Sequence, residues 1–103
     1  MIYRDIIQFE YDDSEDGTTD PNYEVYLYSI PAQITPMAGG EYYRGKQIQA
    51  TTTNVIELAW PHKEIKPTMV VVDTVTDKQY LIKRIINMDN RNRTMVLETT
   101  EAN

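Results

Sequence analysis

The chain has 103 residues, 41% of them hydrophobic and 25% charged, and a net charge of −6. That describes one domain, residues 1–103, able to bury a modest core without staples; no run approaches the ~20 apolar residues of a membrane span. The absence of cysteine excludes disulfides, thiolate metal sites and thiol nucleophiles.

The acidity belongs to one segment. Up to residue 24 eight acids face Arg4 alone, whereas the remainder carries eight acids and nine bases. A body this close to neutral argues against nucleic-acid binding driven by phosphate contacts. The opening Met-Ile-Tyr-Arg-Asp-Ile-Ile lacks the basic start and apolar stretch of a secretory signal, so none is expected. Eight tyrosines against one phenylalanine suit half-buried sheet faces and protein interfaces.

In chain order, residues 2–11 read as a first strand, with Tyr3, Ile6, Ile7, Phe9 and Tyr11 in a β-prone run. Residues 12–22 are an acidic loop of turn formers and like charges with nothing apolar to bury. Tyr23 to Thr35 is a second strand, with Tyr26, Tyr28, Ile30, Ala32 and Ile34 on one face and Val25 and Leu27 on the other. Pro31 removes a ladder donor and favours an edge or a bulge. Pro36 and Gly39-Gly40 end the strand, and residues 37–49 form a projecting loop. Its part Glu41 to Gln49 alternates poorly and reads as a loop or a helical turn, although Gly45 would weaken a helix by about 1 kcal/mol.

A third strand covers Ala50–Trp60 and stops at Pro61. Thr68–Thr74 is a fourth, whose Met69-Val-Val-Val72 is continuous enough for burial on both faces. Asp77-Lys78 turns into a fifth, Gln79–Met88, and Asp89-Asn90 turns into a sixth, Thr94–Thr99. About six short strands separated by turn signals predict an all-β fold, a small antiparallel β-barrel or sandwich, with one long loop or short helical excursion.

Candidate chemistry is sparse. Asp12, Ser14, Asp16, Gly17, Thr18 and Asp20 fall on the first five ligand positions and the glycine of an EF-hand loop, but Tyr23 stands where the bidentate acid belongs. The flanks are strands, so the segment reads as a solvated loop, and no metal or cofactor is expected. His62 is the only histidine, and with Pro61, Lys63 and Glu64 around it an exposed turn is the expected setting. No nucleophile–base set or carboxylate dyad can be assembled, so the chain does not read as an enzyme.

Lys83, Arg84, Arg91 and Arg93 make a basic cluster around the last hairpin, although strand alternation would place Lys83 and Arg84 on opposite faces. Gly39-Gly40 lacks the residues of a phosphate-binding loop. Tyr42, Tyr43, Arg44, Lys46 and Gln47 read either as an ordinary loop or as an interaction segment, since Tyr and Arg are common interface anchors.

The order of these features resembles the small head–tail joining, or head-closure, proteins of tailed bacteriophages. Ala32, Gly40 and Glu41 match the family's second strand and its Gly–Glu. Leu58 and Trp60 stand for its hydrophobic and Tyr positions, and Met69 opens the next strand. Tyr80 and Ile82 give the Tyr-x-Ile, Asn87 and Asp89 the turn, and Leu97 with Glu98 or Glu101 the close. Ala59 and Val70 depart from it, standing where Arg is common.

The resemblance spans about residues 23–101, and its force lies in spacing and order. It implies a virion structural protein, a β-barrel in a cyclic homo-oligomer of about six or twelve copies. Its partners would be the portal or adaptor ring and the tail proteins, with DNA passing nearby without sequence-specific contact and no membrane. The implied locations are the host cytoplasm during assembly and then the virion. Met37, Gly39, Gly40, Glu41, Tyr42, Tyr43, Arg44, Lys46 and Ile48 are the expected contact residues. The acidic segment would suit a DNA conduit through like-charge repulsion. The competing reading is an OB-like binding module that presents its tyrosines to a ligand or protein partner.

Overall fold

The computed structural model describes residues 3–12, 23–37, 42–43, 46–47 and 52–102. Its strands are β1 (Asp5–Asp12), β2 (Tyr23–Pro36), β3 (Tyr42–Tyr43), β4 (Lys46–Gln47), β5 (Asn54–Ala59), β6 (Val70–Asp73), β7 (Gln79–Asn87) and β8 (Thr94–Ala102). Six of them close a barrel in the order β1-β2-β5-β8-β7-β6, every neighbouring pair antiparallel. Of the two architectures the sequence allowed, the barrel is the one formed. Closure satisfies the ladder groups of both outermost strands, which an open sheet would leave to water or to another chain.

The seam is β1 against β6, from Ile7↔Asp73 to Glu10↔Val70. It is reinforced at the β6–β7 turn, where the Thr74 amide and hydroxyl both donate to the Ile6 carbonyl, at 3.0 and 2.9 Å. Asp73 shapes that turn: its carboxylate accepts the Val75 amide at 2.9 Å, and its carbonyl accepts the Asp77 amide at 2.8 Å. Asp77 has φ 59°, a conformation that Asp tolerates better than most residues.

Inside the barrel Ile7, Phe9, Leu27, Ala32, Ile56, Leu58, Val71, Tyr80, Ile82, Met95 and Leu97 form one apolar cluster. The connection from β5 to β6 crosses one end, where Ile65 and Met69 drop into this cluster and plug it. Val70 and Val72 are buried on the other face of β6, as the continuous apolar run predicts.

Three expectations change. First, β2 does not keep one face. Ser29 has φ 50° and the register with β1 slips between Ile7↔Ile30 and Phe9↔Leu27 and again before Glu10↔Val25, so the alternation reverses around Tyr28 and is restored at Tyr26, which packs against the core. Leu27 enters the core and Tyr28 is 70% exposed, whereas Ala32, read on the same face as Tyr28, is buried. Pro31 lies beside this bulge, one of the two settings its missing donor favours, paired with Ile6 of β1 just before the β5 ladder begins at Ala32.

Second, β7 slips between Ile82↔Thr99 and Arg84↔Glu98, which leaves Lys83 as an extra residue. Lys83 and Arg84 are both exposed, contrary to simple alternation. Third, the excursion contains a two-stranded ladder, Tyr42↔Gln47 and Tyr43↔Lys46, instead of a helical turn. The last hairpin is also longer than a two-residue turn: a 3-10 turn at Met88–Asn90 is followed by Arg91 to Arg93.

Candidate functional site

The two segments singled out in the sequence leave the barrel from opposite ends. β1 ends at Asp12 opposite Tyr23, at the same end as Ala59↔Thr94 and Asn87↔Met95. The acidic segment is tethered there. β2 ends at Pro36 opposite Asn54, at the end that also holds the β6–β7 turn, and the excursion starts from that side.

Of the expected contact residues, Tyr42, Tyr43 and Lys46 lie in the small β3–β4 ladder. Met37 is half-buried on the barrel's outer wall. Gly39, Gly40, Glu41, Arg44 and Ile48 lie outside the described residues, as do residues 13–22, which hold all of the calcium-loop pattern but Asp12 and Tyr23.

Both stems of the excursion are fastened to the barrel. The Met37 amide donates to the Thr53 carbonyl at 2.9 Å, and the Thr53 amide donates to the Thr99 carbonyl at 2.9 Å. The Thr53 hydroxyl accepts the Glu101 amide at 2.9 Å, and the Thr99 hydroxyl donates to the Asn54 carbonyl at 3.0 Å. Each of these groups needs a partner once water is excluded, so Thr52 to Asn54 is held against β8 by a row of directional bonds.

Beside the stems lies a polar cluster that the sequence reading missed. Val55, Glu57, Val96 and Glu98 point outward from β5 and β8, yet Glu57 is 1% exposed and Glu98 is fully buried. Val55 and Val96 pack with Met37, Ile86 and Met88. Arg84 forms an ion pair with Glu98 through Nε and a terminal guanidinium nitrogen, and the Thr52 hydroxyl donates to the other Glu98 oxygen at 3.2 Å. The Tyr3 hydroxyl reaches Glu57 at 3.4 Å. A buried carboxylate is tolerated when charge-assisted bonds replace its water, and Arg84 and Thr52 supply them. Glu at alternate strand positions ordinarily reads as solvent-facing; only the flanking Val55 and Val96 hint otherwise.

The basic residues do not form one patch. Arg84 is engaged by Glu98, Lys83 stands midway along β7, and exposed Arg91 and Arg93 sit at the end where the acidic segment is tethered. His62 is exposed in the β5–β6 connection. Among the described residues no group of three or more acids or histidines is placed to hold a metal ion.

The described arrangement is a closed barrel with a segment attached at each end. A comparison with curated proteins gives no match. The family model described as phage head completion protein matches residues 4–102. Head completion implies contact with other head or tail proteins and a place in the virion. With nearly the whole chain matched and its barrel intact over the same span, this chain belongs to the phage head completion protein family and has a structural role at the phage head.

Proposed function

We propose that the chain is one subunit of a connector ring that closes the DNA-filled head and joins it to the tail. The observation that carries this reading is the fastened excursion: a ladder of Tyr42 and Tyr43 with Lys46 and Gln47, whose stem at Thr53 is bonded to β8 and whose stem at Met37 is bonded to Thr53. A closed barrel has no strand edge to lend, so its contacts must come from outer walls and connections. Residues 37–49 are the connection with interface composition, and Tyr42, Tyr43 and Arg44 are the proposed anchors. Copies would associate head-to-tail around a closed rotation, with the portal or adaptor ring on one side and tail proteins on the other. Assembly would occur in the host cytoplasm, with DNA passing through the ring without sequence-specific contact.

The test is complementation of a phage lacking this reading frame. The deletion should give separate filled-then-emptied heads and finished tails by negative-stain microscopy, and the wild-type gene should restore joined particles. Tyr42→Ala with Tyr43→Ala should fail to restore them while the purified variant melts with the parent. Joined, infectious particles from the deletion would remove the protein from the connector.

A further inference from the structure

At the end where the acidic segment is tethered, a cleft of about 610 Å³ opens between the β1–β2 pair and the β5–β6 connection. Tyr11, Val25, Tyr26 and Met69 form its walls, and Lys63, Lys66 and Thr68 form its rim. The Tyr11 and Tyr26 rings meet edge to face at 6.1 Å, which fixes the aromatic wall. Lys63 Nζ lies 5.0 Å from the centre of the Tyr26 ring. Neither lysine has a carboxylate within ion-pair distance among the described residues, where the ion pairs are Lys78–Glu101 and Arg84–Glu98. Exposed Arg91 and Arg93 belong to the same end of the barrel. As lined by the described residues, the cleft is apolar within and cationic at its rim.

We propose that this cleft docks the acidic segment, residues 12–20, of a second copy of the chain. The segment brings Asp12, Asp13, Glu15, Asp16 and Asp20, the densest negative charge in the protein, to match the lysines. A head-to-tail ring requires two unlike patches on every subunit that fit each other, and this chain carries such a pair. The inference rests on the ring reading and names a contact within it. One contact is weak because its charges are exposed, and repetition around a ring multiplies it. A single-stranded nucleic acid would also fit lysines beside tyrosines, but the chain's net charge of −6 opposes it.

The test uses the full chain in solution and a fluorescent peptide copying residues 11–24. The peptide should bind, and raising the salt from about 0.05 to about 0.5 M should weaken binding, because exposed charges are screened. Lys63→Glu with Lys66→Glu should weaken it by about tenfold or more. Both side chains are exposed, so the variant should melt with the parent. No binding, or binding indifferent to the lysines, overturns the proposal. A second variant carries Asp13→Asn, Glu15→Gln, Asp16→Asn and Asp20→Asn. If it binds the peptide and the parent, shown to be monomeric by analytical ultracentrifugation at the same concentration, does not, each chain fills its own cleft and the contact between copies is refuted. An oligonucleotide that binds through the lysines while the peptide does not also refutes it. The readout involves neither particles nor the excursion, so peptide binding alongside failed complementation tests would sink only the connector reading.

Discussion

The two faces of β5 and β8 are both buried, but they are built from different materials. Inward, Ile56, Leu58, Met95 and Leu97 join a core without charge. Outward, the same strands bury Val55 and Val96 beside Glu57 and Glu98. Apolar burial is non-directional and rewards any arrangement that excludes water. A buried carboxylate rewards only the arrangement that places its donors, so the outer face fixes a geometry where the inner face fixes a fold. The geometry fixed here is the stem of the excursion, through Thr52 on Glu98 and Thr53 on β8.

That contrast can be broken from either side. Leu97→Ala should have the largest effect, about 3 kcal/mol or more, because a fully buried side chain leaves a cavity that the barrel cannot collapse. Urea unfolding measures it, and a loss under about 1 kcal/mol would mean that the interior is loosely packed.

Arg84→Ala should cost about 2 kcal/mol by leaving the Glu98 carboxylate short of its charged partner, the bond network being partly solvent-exposed on the Arg84 side. Lys83→Ala, one residue away and solvent-facing, should cost almost nothing. Hydrogen exchange on Arg84→Ala should show faster exchange at Thr53 and Met37 than in the core strands. Uniform loosening would mean that the pair serves the barrel as a whole and has no special bearing on the stem.

The smallest effect separates the faces by pH. Burial pushes the Tyr80 hydroxyl above its usual pKa of 10.0, with the Glu101 carboxylate adding to the rise and Lys78 opposing it. The folded state then holds a proton that the unfolded state releases first. Stability from this source is complete below pH 10 and falls as pH rises through the raised value. Denaturant midpoints measured from pH 8 upward should therefore decline above about 10, and Tyr80→Phe should shallow the decline. An identical decline in Tyr80→Phe would assign the alkaline loss to other groups.

Much of the barrel was legible in the residues. Met69 to Val72 announced a strand covered on both sides, and Gln79 to Met88 with Thr94 to Thr99 announced a hairpin, formed as Gln79–Asn87 and Thr94–Ala102, because period-two patterns and turn formers act locally. The errors came at Ser29 and Lys83. A bulge is a mismatch between two strands, so neither strand's own pattern declares it. Its effect is to reverse the faces until the next slip, which is why Tyr28 was grouped with Ala32 and Ile34 and Arg84 was separated from Lys83. The lysine cleft was missed for a related reason: Tyr11, Tyr26 and Lys63 come from segments far apart in the chain and meet only after the barrel closes.

By itself the sequence determined the strand content, the concentration of acid before residue 24 and the order of features shared with the head-closure proteins, all of which depend on neighbours along the chain. The tertiary structure alone decided that the barrel closes through β1 and β6, that the acidic and tyrosine-bearing segments leave from opposite ends, and that Glu57 and Glu98 are buried. Those outcomes depend on which strands become neighbours in space, and a carboxylate's surroundings are set by the elements that cover it rather than by the residues beside it.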